Sequence, residues 1–206
     1  MAGVRDFLLL AFSLTCLTLG GLYLAHQDSA DFVAASPIFG VEIDEAPTPL
    51  APTPTPVPND SPIARLSIAA INVNAPIVKL GVDPDGVMQS PKGAKEVGWY
   101  EFSSHPSFAG NAVFAGHVDL ATVGAAVFWD LRRVKIGDDV QVGLTDGTTY
   151  TYRITAIRSL VSGEAPIEEI IGPTQKQSIT LITCDGTFNV RTHQYDRRLV
   201  VRAERV

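Results

Sequence analysis

Residues 178–185 read SITLITCD, and the rest of the chain is best understood from this stretch. Residues 179–183 are all β-branched or strongly apolar, which predicts a buried β-strand. Cys184 follows directly, and Asp185-Gly186 is a turn signal, so we expect the strand to end at the cysteine. A thiol in that position is held on a rigid element and is open to a substrate. The alternative is a structural cysteine, since free cysteine usually packs as a small buried hydrophobe.

The cysteine count favours a functional thiol. The chain contains two cysteines, Cys184 and Cys16. Cys16 lies in the uncharged apolar run 7–24, whose length suits one membrane span, so the two thiols are not expected to pair. In an oxidising compartment an unpaired thiol is a liability unless its reactivity is used.

The N-terminal part of the chain predicts an anchor and a spacer. Residues 1–25 are interpreted as a cytoplasmic tip and a transmembrane helix, with Arg5 ahead of the apolar run and acidic residues behind it. A cleaved signal peptide is the competing interpretation of this run. Residues 26–62 culminate in APTPLAPTPTPVP, and this alternation of proline predicts an extended extracellular stalk. We therefore expect a single-pass protein of the cell membrane with its domain outside.

Composition excludes several classes of ligand. The 206 residues leave room for one domain of ordinary size. The formal net charge is -6 and the basic residues form only pairs, which argues against a nucleic-acid partner. The sequence contains no phosphate-binding loop, dinucleotide fingerprint or zinc-type cysteine spacing.

Residues 63–206 predict a mostly β domain. Seven apolar runs predict strands, at 64–68, 75–80, 111–116, 139–144, 148–160, 178–184 and 199–204. Asp146-Gly147 predicts a hairpin between the fourth and fifth of these strands. Short helical segments are expected at 125–131 and 166–171, whereas residues 87–99 give mixed signals for a helix or a loop. Seven or eight strands without regular βα alternation indicate a closed β-barrel or a sandwich.

Three residues at the ends of predicted strands carry the groups that thiol chemistry needs. His117 comes just after one strand, Cys184 ends another, and Arg197-Arg198 begins the last. An imidazole can accept the proton of a thiol, whose pKa is ordinarily about 8.5, and can later protonate a leaving amine. A guanidinium can stabilise both the thiolate and the oxyanion that forms on acylation.

Other interpretations of these residues stay open on spacing alone. His105 and His193 are competing bases, although both lie in polar, loop-like sequence. A Cys–His pair can also bind a metal ion with Asp119 or Asp185 as further ligands, but no metal-ligand spacing supports this. A stalked, non-catalytic β-domain that binds a wall polymer or a partner predicts instead that Cys184 is buried and inert.

The order of three motifs resembles that of a known family. TLITC at 180–184 resembles the TLxTC signature of sortases, the membrane-anchored cysteine transpeptidases of bacterial surfaces. FAGHVD at 114–119 is similar to the histidine segment of the family, and RRLVVRAE at 197–204 is similar to its arginine strand. The resemblance covers residues 63–206 and implies a closed sortase-type β-barrel. The continuation CDGTF is most similar to class F or class E.

The resemblance also implies the roles of the site residues. Cys184 corresponds to the nucleophile, His117 to the general acid/base, and Arg198 to the residue that stabilises the oxyanion or the substrate. Arg198 is preferred to Arg197 because family sequences place the arginine directly before an apolar run such as LVV, and adjacent strand residues point to opposite faces.

The implied reaction is a two-step acyl transfer. The thiolate cleaves an LPxTG-like sorting signal between Thr and Gly, and an amine of a cell-wall precursor or of a pilin resolves the thioester. No cofactor and no metal is implied. Calcium stimulates some sortases, but Glu164, Glu168 and Glu169 are interpreted here as a solvated cluster. A purely hydrolytic cysteine peptidase would use the same residues with water as the acceptor.

Overall fold

The computed structural model describes residues 58–206. The predicted membrane anchor and nearly all of the predicted stalk lie outside these residues. Within the part that is described, no helix is both long enough and apolar enough to cross a membrane.

Residues 58–206 form mainly strands. In chain order the strands are β1 Ile63–Ile68, β2 Val73–Leu80, β3 Val97–Tyr100, β4 Gly110–Ala115, β5 Asp119–Leu120, β6 Gly124–Ala125, β7 Asp139–Leu144, β8 Thr149–Val161, β9 Gln177–Asn189 and β10 Gln194–Arg205. A short helix, α1, spans Ile167–Ile171, and 3-10 turns occupy Ala69–Ile71 and Leu131–Arg133.

Eight of the strands close into a barrel. Their order is β1-β2-β3-β4-β9-β10-β8-β7, and β7 pairs back onto β1. The β2–β3 and β4–β9 pairs are parallel, so each needs a long crossover connection, whereas the other pairs are antiparallel. β5 and β6 form a separate two-stranded ribbon. Closure leaves the barrel without a free edge, which confirms the predicted closed β-barrel.

The barrel interior is filled by alternate residues of each strand. Ile179 and Leu181 of β9, and Val201 and Ala203 of β10, are all fully buried in this core. Because successive side chains of a strand point to opposite faces, the even-numbered residues of β9 between Ser178 and Cys184 face the outside of the barrel.

One end of this outer face is covered by α1. Asn111 of β4 donates from Nδ2 to the carbonyl of Ile170 at 3.0 Å, and Thr180 of β9 donates from Oγ1 to Asn111 Oδ1 at 2.7 Å. Arg202 of β10 donates from Nη2 to the carbonyl of Glu169 at 2.7 Å. The helix therefore docks through polar side chains whose hydrogen bonds are satisfied, as buried polar groups require.

Most of the predicted elements are confirmed. All seven expected strands are present, and the Asp146-Gly147 hairpin joins β7 to β8 with Gly147 at a φ of +91°. The helix expected at 166–171 is α1.

Residues 127–131 form turns instead of the helical segment expected at 125–131, and the strand β3, Val97–Tyr100, was not predicted. Trp129 donates its backbone N–H to Ala126 O at 3.2 Å, and Leu131 donates to Phe128 O at 3.1 Å. These bonds span three residues, as in a 3-10 turn, and not four as in an α-helix. Phe128 is fully buried as expected, but Trp129 is 40% exposed.

The expected end of the strand at Cys184 is also wrong. β9 continues to Asn189, which pairs with Gln194 of β10. The register shifts between Tyr195 and Arg197, and Gly186 has a φ of +83°. Gly186 and Thr187 both lie opposite Asp196 and form a β-bulge directly after Asp185, instead of the predicted turn, and Cys184 lies within a long hairpin.

Candidate active site

Arg198 lies directly across from Cys184. The antiparallel register of β9 and β10 pairs these two residues, and it pairs Arg197 with Asp185. Directly opposite residues of an antiparallel pair project on the same face, so Arg198 shares the outer face with Cys184 and Arg197 does not. Arg197 instead donates from Nε to Ser159 Oγ at 2.8 Å and from Nη2 to Ser159 O at 2.7 Å.

The guanidinium of Arg198 is held by neutral acceptors. Its Nη1 donates to Ser162 Oγ at 2.9 Å, to the carbonyl of Tyr195 at 3.0 Å and to the carbonyl of Arg197 at 2.9 Å. None of the salt bridges found among residues 58–206 includes Arg198. Its positive charge is therefore oriented by the fold but is not neutralised by a carboxylate.

His117 follows β4 on the other side of β9. The parallel register of these strands runs to Ala115 opposite Ile182, and the next residue, Gly116, donates its N–H to Ile182 O at 3.1 Å. Thr183 Oγ1 then donates to Gly116 O at 2.8 Å. Continuing this register places His117 beside Cys184. An added Cβ at Gly116 would lie 2.6 Å from the Phe128 ring, so the close approach requires glycine.

The imidazole of His117 is oriented by a backbone carbonyl. Its Nε2 lies 2.8 Å from Pro91 O. A carbonyl only accepts, so Nε2 carries the proton and Nδ1 of the neutral ring carries the lone pair. Within the described residues, no hydrogen bond joins His117 directly to Cys184. The structure thus brings the three predicted residues to adjacent positions on β10, β9 and the segment after β4.

The surroundings of Cys184 disfavour its thiolate form on balance. Cys184 is half-buried, and this burial raises its pKa above the usual value. The Arg198 charge lowers the pKa and the Asp119 charge raises it, both by less than burial does. A base must therefore remove the proton before the sulfur can act as a nucleophile.

A cavity of about 190 Å³ opens beside Cys184 at the end of the barrel. We call it the rim cavity. Its apolar wall is formed by Phe128, Trp129 and Leu199, and its charged and polar groups include Asp119, Arg132 and Tyr195. A half-buried thiol that lines such a cavity is accessible to small ligands, in contrast to an inert core cysteine.

Asp119 and Tyr195 form a contact that sequence reasoning missed. The Tyr195 hydroxyl donates to Asp119 Oδ2 at 2.6 Å, and this hydrogen bond raises the pKa of Tyr195 to about 12. Asp119 follows His117 by two residues, and the carbonyl of Tyr195 accepts from Arg198. The pair therefore links the segment of the histidine to the strand of the arginine. Sequence reasoning considered Asp119 only as a metal ligand, because no local signal marks a contact across strands.

The two competing histidines lie elsewhere. His105 contacts Ser107 Oγ at 3.0 Å and Ser61 O at 3.1 Å, and burial lowers its pKa. His193 has a φ of 54° in the turn between β9 and β10. The search for metal sites covered only the described residues and found no group of three or more His, Cys, Asp or Glu side chains able to hold a metal ion. Glu169 of the acidic cluster pairs with Arg158 at 2.9 Å.

Comparisons with known proteins agree on one family. A family model described as a sortase domain matches residues 66–206. A lid mutant of sortase A from Corynebacterium diphtheriae is 30% identical, with 72% of each chain covered and a TM-score of 0.55. Sortase C-1 from Actinomyces oris is 28% identical, with 71% of this chain and 74% of that chain covered and a TM-score of 0.53.

A third structure, the complex of Streptococcus agalactiae sortase C1 and MTSET, is 25% identical, with 71% of this chain and 70% of that chain covered and a TM-score of 0.54. A search of curated proteins found no match. By its fold and these similarities, the domain is a cysteine transpeptidase built on a closed β-barrel. The chain belongs to the sortase family, which confirms the predicted resemblance. These similarities give no support to a non-catalytic stalked domain or to a purely hydrolytic peptidase.

Proposed function

We propose that Cys184, His117 and Arg198 are the nucleophile, the general acid/base and the oxyanion-stabilising residue of this sortase. The observation that carries the proposal is the alignment of the three residues across adjacent strands, with Arg198 in register with Cys184 and His117 one residue beyond Gly116 on the other side. The substrate proposed is an LPxTG-like sorting signal, and the acceptor is an amine.

The first half-reaction forms a thioester. His117 Nδ1 takes the proton of the Cys184 thiol, and the thiolate attacks the carbonyl carbon of the Thr–Gly bond. The charge that develops on the carbonyl oxygen is stabilised by the Arg198 guanidinium, which never loses its own charge. The imidazolium, supported by Pro91 O at Nε2, then protonates the departing glycine nitrogen as the C–N bond breaks.

The second half-reaction transfers the acyl group. An amine attacks the thioester carbon, a new C–N bond forms, and the C–S bond breaks. One proton of the amine passes to His117 and then to the sulfur, which restores the thiol. The net change converts a thioester and an amine into an amide and a thiol, and no cofactor takes part.

The proposal includes the cellular setting. Residues 1–25 are proposed to anchor the protein in the cell membrane, and residues 26–62 to hold the domain outside the cell, because the apolar run and the proline alternation suit these roles. The acceptor is then an amine of a cell-wall precursor or of a pilin. Assignment to class F or class E rests on the CDGTF segment and stays a prediction.

The experiment that tests this function is intact-mass measurement of the purified protein after incubation with LPxTG-type peptides. We expect a mass increase equal to the acyl fragment in the unmodified protein, no increase in Cys184→Ala, and loss of the adduct when an amine is added. Absence of the adduct with several such peptides, together with a thiol that resists alkylation in the folded protein, would show that the domain is not catalytic.

A further inference from the structure

Cys184 lies between the outer face of the barrel, which carries His117 and Arg198, and the rim cavity. Alternation along the strands places His117 and Arg198 on the outer face of the barrel, and neither residue lines the rim cavity. The rim cavity is lined instead by Thr183 and Leu199, whose side chains face inward, and it reaches Cys184 from the end of the barrel. A peptide donor on the outer face therefore leaves the rim cavity free for a second substrate.

The carboxylate of Asp119 supplies a negative charge in this cavity. Tyr195 donates a hydrogen bond to Oδ2, and Oδ1 accepts none from the described residues. Asp119 is half-buried and forms no salt bridge within residues 58–206. A partly desolvated carboxylate whose orientation is set by a phenol is suited to bind a cation.

The cavity carries charges of both signs. Arg132 also lines it, with its guanidinium over the Trp129 ring at 5.2 Å from the centroid. A ligand with one positive charge is attracted to the Asp119 end and repelled by Arg132. Removing the charge of Asp119 should therefore weaken the binding of a cationic amine, and removing the charge of Arg132 should strengthen it.

Building on the proposed function, we infer that the rim cavity is the acceptor subsite, where Asp119 binds the incoming primary amine in its ammonium form beside the thioester of Cys184. The ammonium loses one proton to solvent, and the neutral amine attacks the thioester carbon. The C–N bond forms, the C–S bond breaks, and the second proton passes by way of His117 to the sulfur. Asp119 acts by binding the acceptor, so its loss raises the KM for amines.

The first test needs no peptide donor. The rate of alkylation of Cys184 by iodoacetamide is measured with and without diglycine amide, which is cationic, and with its uncharged N-acetyl derivative. We expect the cationic amine alone to slow alkylation, and we expect this protection to be lost in Asp119→Asn. For each protein, the alkylation rate with the amine is divided by the rate of the same protein without it, because Asp119 also affects the pKa of the Cys184 thiol. Equal protection in both proteins would overturn the inference.

The second test uses the acyl-enzyme. Release of the acyl group is followed with diglycine amide and with hydroxylamine, which is uncharged at neutral pH. In Asp119→Asn we expect the KM for diglycine amide to rise about tenfold relative to the KM for hydroxylamine, because a hydrogen bond to a charged group is lost. In Arg132→Gln we expect the KM for diglycine amide to fall about threefold.

Asp130→Asn is the matched control for charge. Asp130 lies between Trp129 and Arg132 in the chain, pairs with Arg133 at 3.4 Å and does not line the rim cavity, so its variant should keep the KM of the unmodified protein. An equal rise of the KM for both nucleophiles in Asp119→Asn would assign Asp119 a structural role and overturn the inference. Failure of every peptide to acylate Cys184 would overturn the proposed function and with it the acceptor role, while the alkylation test still decides whether Asp119 binds ammonium.

Discussion

Two arginines of β10 lie on the same face of the strand, Arg202 beneath α1 and Arg198 beside Cys184. Arg202 is in register with Thr180 and Arg198 is in register with Cys184. Both side chains donate to backbone carbonyls, and neither forms a salt bridge among the described residues. Thr180 is fully buried beneath α1, whereas Cys184 is half-buried and lines a cavity. Arg202 thus helps to bind α1 to the barrel, whereas Arg198, in the equivalent position across from Cys184, lies beside the thiol.

The difference lies in what covers each position. At the Thr180 end, α1 supplies carbonyl acceptors, and the polar side chains beneath it are satisfied within the protein. At the Cys184 end, the guanidinium of Arg198 also has internal acceptors, but the described residues give the sulfur of Cys184 no hydrogen-bond partner, and the thiol lines the rim cavity. Internal hydrogen bonds orient a charged group, and an oriented charge beside an open cavity is available to a substrate.

The largest effect is expected when Arg198 and Arg202 are compared by the same substitution. Arg198→Lys should lower kcat/KM about 100-fold or more, because the planar donor group at the oxyanion is lost, and should lower the Tm no more than Arg202→Lys does, because both guanidiniums donate to backbone carbonyls. Arg202→Lys should lower the Tm and keep kcat/KM. Transfer of a peptide to an amine and thermal unfolding measure the two quantities. A large loss of activity in Arg202→Lys alone would reverse the assignment of the two ends.

A second comparison tests the stabilising end. Asn111→Ala should lower the free energy of unfolding by about 1–3 kcal/mol, because it removes a buried amide that accepts from Thr180 and donates to the carbonyls of Ile170 and Gly172. Denaturant unfolding measures this loss. Thr155→Ala is a control, since the exposed Thr155 bonds from Oγ1 to Arg202 O at 3.5 Å, outside the interface with α1. An equal loss in both variants would contradict a special role for the interface with α1.

The pH dependence of alkylation tests the charges around Cys184. Burial and the Asp119 carboxylate disfavour the thiolate and raise the pKa, and the Arg198 charge opposes them. The midpoint of the rate of alkylation by iodoacetamide against pH should therefore lie above the ordinary value for a thiol. It should fall in Asp119→Asn and rise further in Arg198→Gln. Shifts of the same sign in both variants would contradict this account.

The smallest effect concerns Tyr195. Its phenol donates to Asp119, so its pKa is raised to about 12. Ultraviolet titration of the difference between the unmodified protein and Tyr195→Phe should show a phenol that ionises in that range. In Asp119→Asn the same difference should titrate at lower pH, because the acceptor no longer carries a charge. An unchanged midpoint would show that the hydrogen bond is not formed in solution.

Short sequence motifs predicted the structure correctly where the backbone conformation of one residue decides it. Asp146-Gly147 predicted the β7–β8 hairpin because the turn needs a left-handed residue, and Gly147 supplies it. Asp185-Gly186 is the same dipeptide but leads into a β-bulge at Gly186 and Thr187, because the residues beyond it still pair with β10. A dipeptide indicates a local bend, but the pairing partner decides whether the chain turns back there.

Strand periodicity in the sequence predicted a β-barrel or a sandwich, and the TLITC, FAGHVD and RRLVV motifs predicted the family and with it the closed barrel, because both signals are local patterns. Only the tertiary structure decided which residues stand next to the thiol. Its register placed Arg198, and not Arg197, across from Cys184, and its closure brought Asp119 to Tyr195 across 76 positions of chain. Contacts of this kind depend on strand pairing, and strand pairing joins residues that no local pattern relates.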